Sequence, residues 1–213
     1  PLMSAAIKEP ENRNPAGLVA GMGGCYALGT FTDNFYKQAA VLLAAGSLTW
    51  LQGVATLLYA LPFILVSAWA GWLADRLVKK HIVVAAKTTE LAALLLGAFA
   101  LITLNWWGIL AVIFLMGLQA TMFSPALNGS IPESFPAHQV PRINSLIKLA
   151  STAAILVGIA ASGIFLDLRP GGLLPAFGLD DGELFGRYAS SIFIILIAVA
   201  GVLTAFTLRK RPA

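Results

Sequence analysis

Six apolar runs follow one another between Gly17 and Leu208, each about as long as a helix must be to cross a lipid bilayer. They cover about 17–45, 48–73, 82–104, 106–128, 141–166 and 188–208. A hydrocarbon interior offers no water to backbone N–H and C=O groups, so such a chain must fold as helices or as a closed barrel. No strand-period alternation is sustained, which removes the barrel. The expectation is an all-α membrane protein with six transmembrane helices. Composition agrees: 58% of residues are hydrophobic and 11% charged, against about 45–50% and about 25% in soluble domains. The mean hydropathy of +0.82 excludes disorder, which needs a polar chain.

Apart from Lys37, Lys87 and Lys148, lysine and arginine sit at the edges of these runs, not in one stripe, so the net charge of +4 reads as membrane topology and no nucleic acid is expected as partner. Lys8 and Arg13 precede the first run, Arg76, Lys79 and Lys80 follow the second, Arg142 follows the fourth, and Arg209, Lys210 and Arg211 follow the sixth. The opposite side has only Arg169 and Arg187, among Asp167, Asp180, Asp181 and Glu183. Both termini are therefore expected in the cytoplasm. Trp50, Trp106 and Trp107 then fall at the outer interface. On this reading, 1–16 is a cytoplasmic segment, 17–208 the transmembrane domain and 209–213 a cytoplasmic tail. The N-terminus has mixed charge and no signal-peptide pattern, and the opening Pro1 points to a fragment. The single cysteine, Cys25, allows no intramolecular disulfide framework and reads as a small buried hydrophobe.

The first run contains GTFTDNFYKQAAVLLAAG, with Asp33, Asn34 and Lys37 inside five positions. A charge at mid-bilayer costs at least about 2.5–3.5 kcal/mol, so it faces a cavity or a partner. Asp33 and Lys37 are four apart, on one helical face with Tyr26 and Thr30. Asp33 lies about 22 Å along the helix from Leu18, which puts it in the outer third. Two readings stay open: an ion pair joining two helices, or part of a substrate or coupling path. Lys87 and Glu90 lie in the third run, and Glu90 needs a partner, with Lys87 and Lys148 as candidates. The fourth run adds Gln119, Ser124 and Asn128, with Pro125 expected to break the helix. The fifth places Asn144, Lys148 and Ser151 on one face. Together these residues form a candidate path from Asp33 to Lys148, suited to a zwitterionic head group because an acid meets an ammonium and a lysine meets a phosphate.

The connection GWLADRLVKKH resembles the loop between the second and third helices of the major facilitator superfamily, and Gly71, Leu73, Ala74, Asp75, Arg76, Lys79 and Lys80 fit its pattern. Physically, Gly71 allows close helix approach. Asp75 is suited to pair with a helix N-terminus or a basic residue. The three cations suit an anionic leaflet. The resemblance implies the N-terminal half of a twelve-helix transporter, built from two inverted three-helix repeats. The acidic 167–186 segment would be an outer loop.

Phe31 to Lys37 further resembles the F-x-D-N-x-x-K segment of the lysophospholipid-transporter branch, which includes transporters fused to glycerophospholipid acyltransferase and acyl-carrier-protein synthetase domains. Phe123 to Gly129 is similar to that branch's Y-S-P-A-K-Y-G. Arg142 to Leu146 and Ala153 to Gly158 resemble its A-N-G-x-x-E and A-A-I-L-x-G. Leu127 stands where the branch has lysine, and Lys148 near its glutamate.

The resemblance implies inward movement of lysophospholipid across the inner membrane for reacylation. Its implied partners are the bilayer, the lipid, and a missing six-helix half or fused acyltransferase. Transport of another amphiphile or small metabolite, with proton coupling through Asp33 or Glu90, is the alternative. A membrane anchor for an attached enzyme is a third reading. Enzyme patterns are missing: His81 and His138 lack an aspartate five positions on, and there is no phosphate-binding glycine loop or G-x-S-x-G. No cofactor or metal is expected.

Overall fold

The computed structural model describes residues 15–45, 48–169 and 182–207. These residues form six helices: α1 (Pro15–Ala44), α2 (Trp50–Arg76), α3 (Lys79–Thr103), α4 (Trp106–Ser134), α5 (Val140–Leu166) and α6 (Gly182–Thr207). The expected terminal segments, 1–14 and 208–213, and residues 170–181 of the expected outer loop lie outside the described residues. Five of the helices, α2 to α6, are long and apolar enough to span a membrane. α1 is long enough, but its glycines, threonines and the Asp33–Lys37 stretch dilute its hydropathy.

Large apolar side chains cover the outside. Leu57, Ile64, Leu65, Leu96, Phe99, Leu196 and Leu203 are 60–73% exposed. Water would drive such a surface into association, whereas lipid tails solvate it.

Apart from α3 and α4, the short connections do not make chain neighbours the main packing partners. α1 packs along α5 and α6, α2 along α4, and α3 along α4 and α6, while α1–α2 and α2–α3 touch lightly. Glycine permits close crossings of α1 with α5 and of α2 with α4. A Cβ on Gly158 would stand 2.8 Å from the Phe31 carbonyl oxygen, and one on Gly117 would overlap the Tyr59 carbonyl oxygen. No such approach exists at Gly71, where an added Cβ meets nothing within 4 Å. The expected helix closure at that glycine is not made.

α4 also departs from expectation. It continues through Pro125 and Pro132 to Ser134 and does not break at Pro125. The flanking Phe123, Ala126 and Leu127 are buried, and their packing carries the helix past the missing N–H. The α3–α4 turn is closed locally. Leu104 adopts a left-handed conformation (φ 51°), the Asn105 N–H bonds the Ala100 carbonyl at 2.9 Å, and Asn105 Oδ1 accepts from the Gly108 N–H at 3.0 Å.

The interior has two apolar storeys. One gathers Phe35, Tyr36, Leu94, Leu101, Ile113, Met116 and Ile194. The other gathers Met22, Cys25, Val83, Phe123, Leu127, Ile131 and Ala205. Along α1, α3 and α4 alike, the buried polar residues Thr32, Asp33, Lys87, Glu90, Gln119 and Thr121 fall between or at the margin of these storeys. Glu90 and Gln119 sit at the middle of their helices.

Candidate functional site

The polar layer has two linked parts. The first is centred on Asp33, only 6% exposed. The Tyr59 hydroxyl donates to its Oδ2 at 2.8 Å, and Gln119 Nε2 donates to its Oδ1 at 3.4 Å. The close α2–α4 crossing at Gly117 and Tyr59 brings these two donors to one carboxylate. Lys37, half-buried, places its ammonium over the Tyr59 ring, 3.9 Å from the centroid. No ion pair within 4.0 Å joins Asp33 to Lys37 among the described residues. Of the two readings left open for these residues, the direct ion pair is not made, and Tyr59 bridges the two side chains instead.

The second part is a closed pair. Lys87 Nζ donates to Glu90 Oε2 at 2.6 Å, with both side chains 1% exposed. Thr32 Oγ1 donates to Glu90 Oε1, tying α1 to α3. Gly29 makes room for this pair, since a Cβ there would strike the Lys87 ammonium. The Lys87 ammonium also faces the Phe123 ring at 5.1 Å. Glu90 is thus matched by Lys87, whereas Asp33 is held by neutral donors alone. A carboxylate so placed has acceptor capacity left for a cationic group.

Other predicted residues lie elsewhere. Asn34 Nδ2 turns onto its own helix and donates to the Thr30 carbonyl at 2.7 Å. Ser124 accepts from Asn128 Nδ2 at 3.3 Å. Asn144 and Lys148 are exposed on α5, so Lys148 is not the partner of Glu90. Ser151 does not share their surface. It is buried and donates to the Ile147 carbonyl at 2.7 Å. Asp33, expected in the outer third, lies beside Gln119, at the middle of α4.

At the α2–α3 connection, Arg76 stacks on the Trp72 ring at 4.4 Å. Lys79 pairs with Glu133 at the end of α4, and Lys80 Nζ donates to the Phe206 carbonyl of α6 at 2.8 Å. These lysines therefore tie helix ends together and are not simply solvated. Asp75 is exposed and makes no hydrogen bond or ion pair among the described residues, contrary to the expected pairing.

A bundle of long lipid-exposed helices around a buried polar layer has the physical character of a transport protein. The sequence profile of the Major Facilitator Superfamily matches residues 16–213. The chain belongs to the major facilitator superfamily. Among curated relatives are the lysophospholipid transporters LplT of Yersinia pestis (strain Pestoides F) and of Yersinia pseudotuberculosis serotype O:3 (strain YPIII). Each is 27% identical over 151 residues, covering 70% of this chain and 35% of the relative. The chain thus spans about a third of the length of those relatives. No solved structure matches it. Family and relatives point to a multi-pass membrane transporter rather than an enzyme.

Tyr59, Thr32 and Gly29 were not singled out as site residues from sequence. Tyr59 is the one tyrosine of α2, but nothing local distinguishes it from an aromatic at a helix interface. Thr32 and Gly29 carry signal only through their closeness to Asp33.

Proposed function

We propose that this chain is a six-helix half of a secondary transporter that moves lysophospholipid across the inner membrane for reacylation. Both termini face the cytoplasm, and the substrate ammonium meets Asp33. The observation that carries this reading is Asp33 itself, a buried carboxylate at mid-bundle whose hydrogen-bond donors among the described residues are a phenol and an amide. An ammonium displaces the long Gln119 bond and supplies the missing counter-charge. Lys37, held only by a ring face, is free to swing to a phosphate. The LplT relatives support the substrate class. The basic connections support the orientation.

Two inverted three-helix repeats account for the packing. Exchanging α1 with α4, α2 with α5 and α3 with α6 converts the α1–α5 pair into α4–α2, and α3–α4 into α6–α1, all extensive contacts. A second six-helix half would complete the path and cover the exposed Asn144 and Lys148 of α5.

The test is uptake of labelled lysophosphatidylethanolamine into vesicles carrying the full-length protein. Asp33→Asn keeps the size of the side chain and removes its charge, and is expected to abolish most uptake. Undiminished uptake by Asp33→Asn overturns the assignment.

A further inference from the structure

A groove of about 450 Å³ opens on the lipid-facing side between α2, α3 and α4, within the range of about 300–1,000 Å³ typical of ligand sites. Its walls are aliphatic: Leu73 from α2 and Leu77 just after it, Ala85 from α3, and Leu115, Leu118 and Met122 from α4. Polar groups occur only at particular points. His81, exposed, lies in the first turn of α3, just after Lys79 and Lys80, whose ammonium groups are held by Glu133 and the Phe206 carbonyl. Thr89 and Gln119 lie further in. From His81 to Thr89 the groove follows α3 for about 12 Å at 1.5 Å per residue.

Gln119 belongs to two places. It lines the groove, and its Nε2 donates to Asp33. Gln119 therefore stands between the groove and the candidate head-group site and links the two. The groove's chemistry is also ordered along its length, with the His81 imidazole at one end and a mainly aliphatic run beyond it. That order matches a lipid with its phosphate at His81 and its chain pointing toward the bundle middle.

We propose that this groove holds the single acyl chain of the lysophospholipid, with the phosphate at His81 and the chain running toward Gln119. The proposal rests on the lysophospholipid reading above, and gives the substrate a second station after Asp33. A groove of about 450 Å³ leaves no place for the second chain of a diacyl lipid. Gln119 couples the stations: a chain end that displaces it frees one oxygen of Asp33, and an ammonium on Asp33 releases it toward the groove.

The test uses the full-length protein in vesicles and lysophosphatidylethanolamine with a photoactivatable diazirine in its chain, read by peptide mapping. Labelling is expected on the groove segments of α3 and α4, above the level on the exposed leucines Leu156 of α5 and Leu196 of α6. Ala85→Trp fills the groove from an exposed position, so the fold tolerates it, and is expected to cut groove labelling severalfold. His81→Gln, a milder change at the mouth, is expected to weaken it as well. Unlabelled lysophosphatidylethanolamine competes, and diacyl phosphatidylethanolamine does not. Equal labelling of all lipid-facing helices, labelling insensitive to Ala85→Trp, or equal competition by the diacyl lipid overturns the proposal. Uptake that depends on Asp33 without groove labelling overturns the groove alone. Absence of any wild-type uptake overturns the reading on which it rests.

Discussion

Tyr59 binds Asp33 with its hydroxyl at 2.8 Å and carries Lys37 on its ring face, so two charges on α1 meet through one side chain of α2. The bridge separates an acid and a base that a direct ion pair would have neutralised. It also makes the carboxylate depend on the α2–α4 crossing, where Gly117 lies against the Tyr59 backbone.

Tyr59→Phe keeps the ring under Lys37 and removes the donor to Asp33. Hydrogen bonds between membrane helices contribute about 0.6 kcal/mol on average and up to about 1.7 kcal/mol. The expected loss of stability is of that order, with impaired uptake. Tyr59→Leu also removes the cation–π contact and should cost more in both respects. Thermal unfolding of the purified full-length protein and vesicle uptake check the order. Equal behaviour of the two variants would show that the ring does not hold Lys37.

Lys87→Met leaves Glu90 buried without its counter-ion, and breaking such a pair from one side costs about 3–5 kcal/mol. The expected result is a sharp drop in folded yield by size-exclusion chromatography. Adding Glu90→Gln removes the stranded charge and is expected to restore most of that yield. Failure of the double variant to recover would mean that the pair is not the source of the loss.

Gly117→Ala and Gly158→Ala each place a methyl group on the backbone of a neighbouring helix. Overpacking of this kind costs about 1–3 kcal/mol, read as a lower unfolding temperature. Gly71→Ala meets open space, so its unfolding temperature should be unchanged or slightly raised by the better helix propensity. A penalty at Gly71 as large as that at Gly117 would contradict the packing described here.

Cys25 is fully buried and should resist a membrane-impermeant maleimide, so single introduced cysteines can report topology. His138→Cys, in the α4–α5 connection, is expected to label only from the cytoplasmic side. Trp107→Cys, 82% exposed at the start of α4, is expected to label only from the outside. Labelling of both from one side would refute the proposed orientation.

Helix number and approximate limits were legible in the sequence because hydropathy is a local property and a bilayer imposes one length on every span. The buried polar residues were legible too, since Asp33, Lys87, Glu90 and Gln119 stand out in apolar surroundings. Lys87 as a partner of Glu90 was legible because the two lie one turn apart on a single helix.

Which residues meet across helices was not legible. Spacing along α1 favoured Asp33 with Lys37, yet Tyr59 came between them from α2. Lys148 was a reasonable partner for Glu90 by charge, but α5 turns it to the surface. The proline in α4 was a breaker by local rule, and packing of Phe123, Ala126 and Leu127 overrode it. The sequence by itself determined a six-helix chain with costly side chains inside it, because each residue's compatibility with lipid is its own. Only the tertiary structure decided that these side chains lie between two apolar storeys, with Lys87 closed on Glu90 and Asp33 left to neutral donors. That outcome depends on where glycine lets α1 approach α5 and α2 approach α4, and such crossings join positions far apart in the chain.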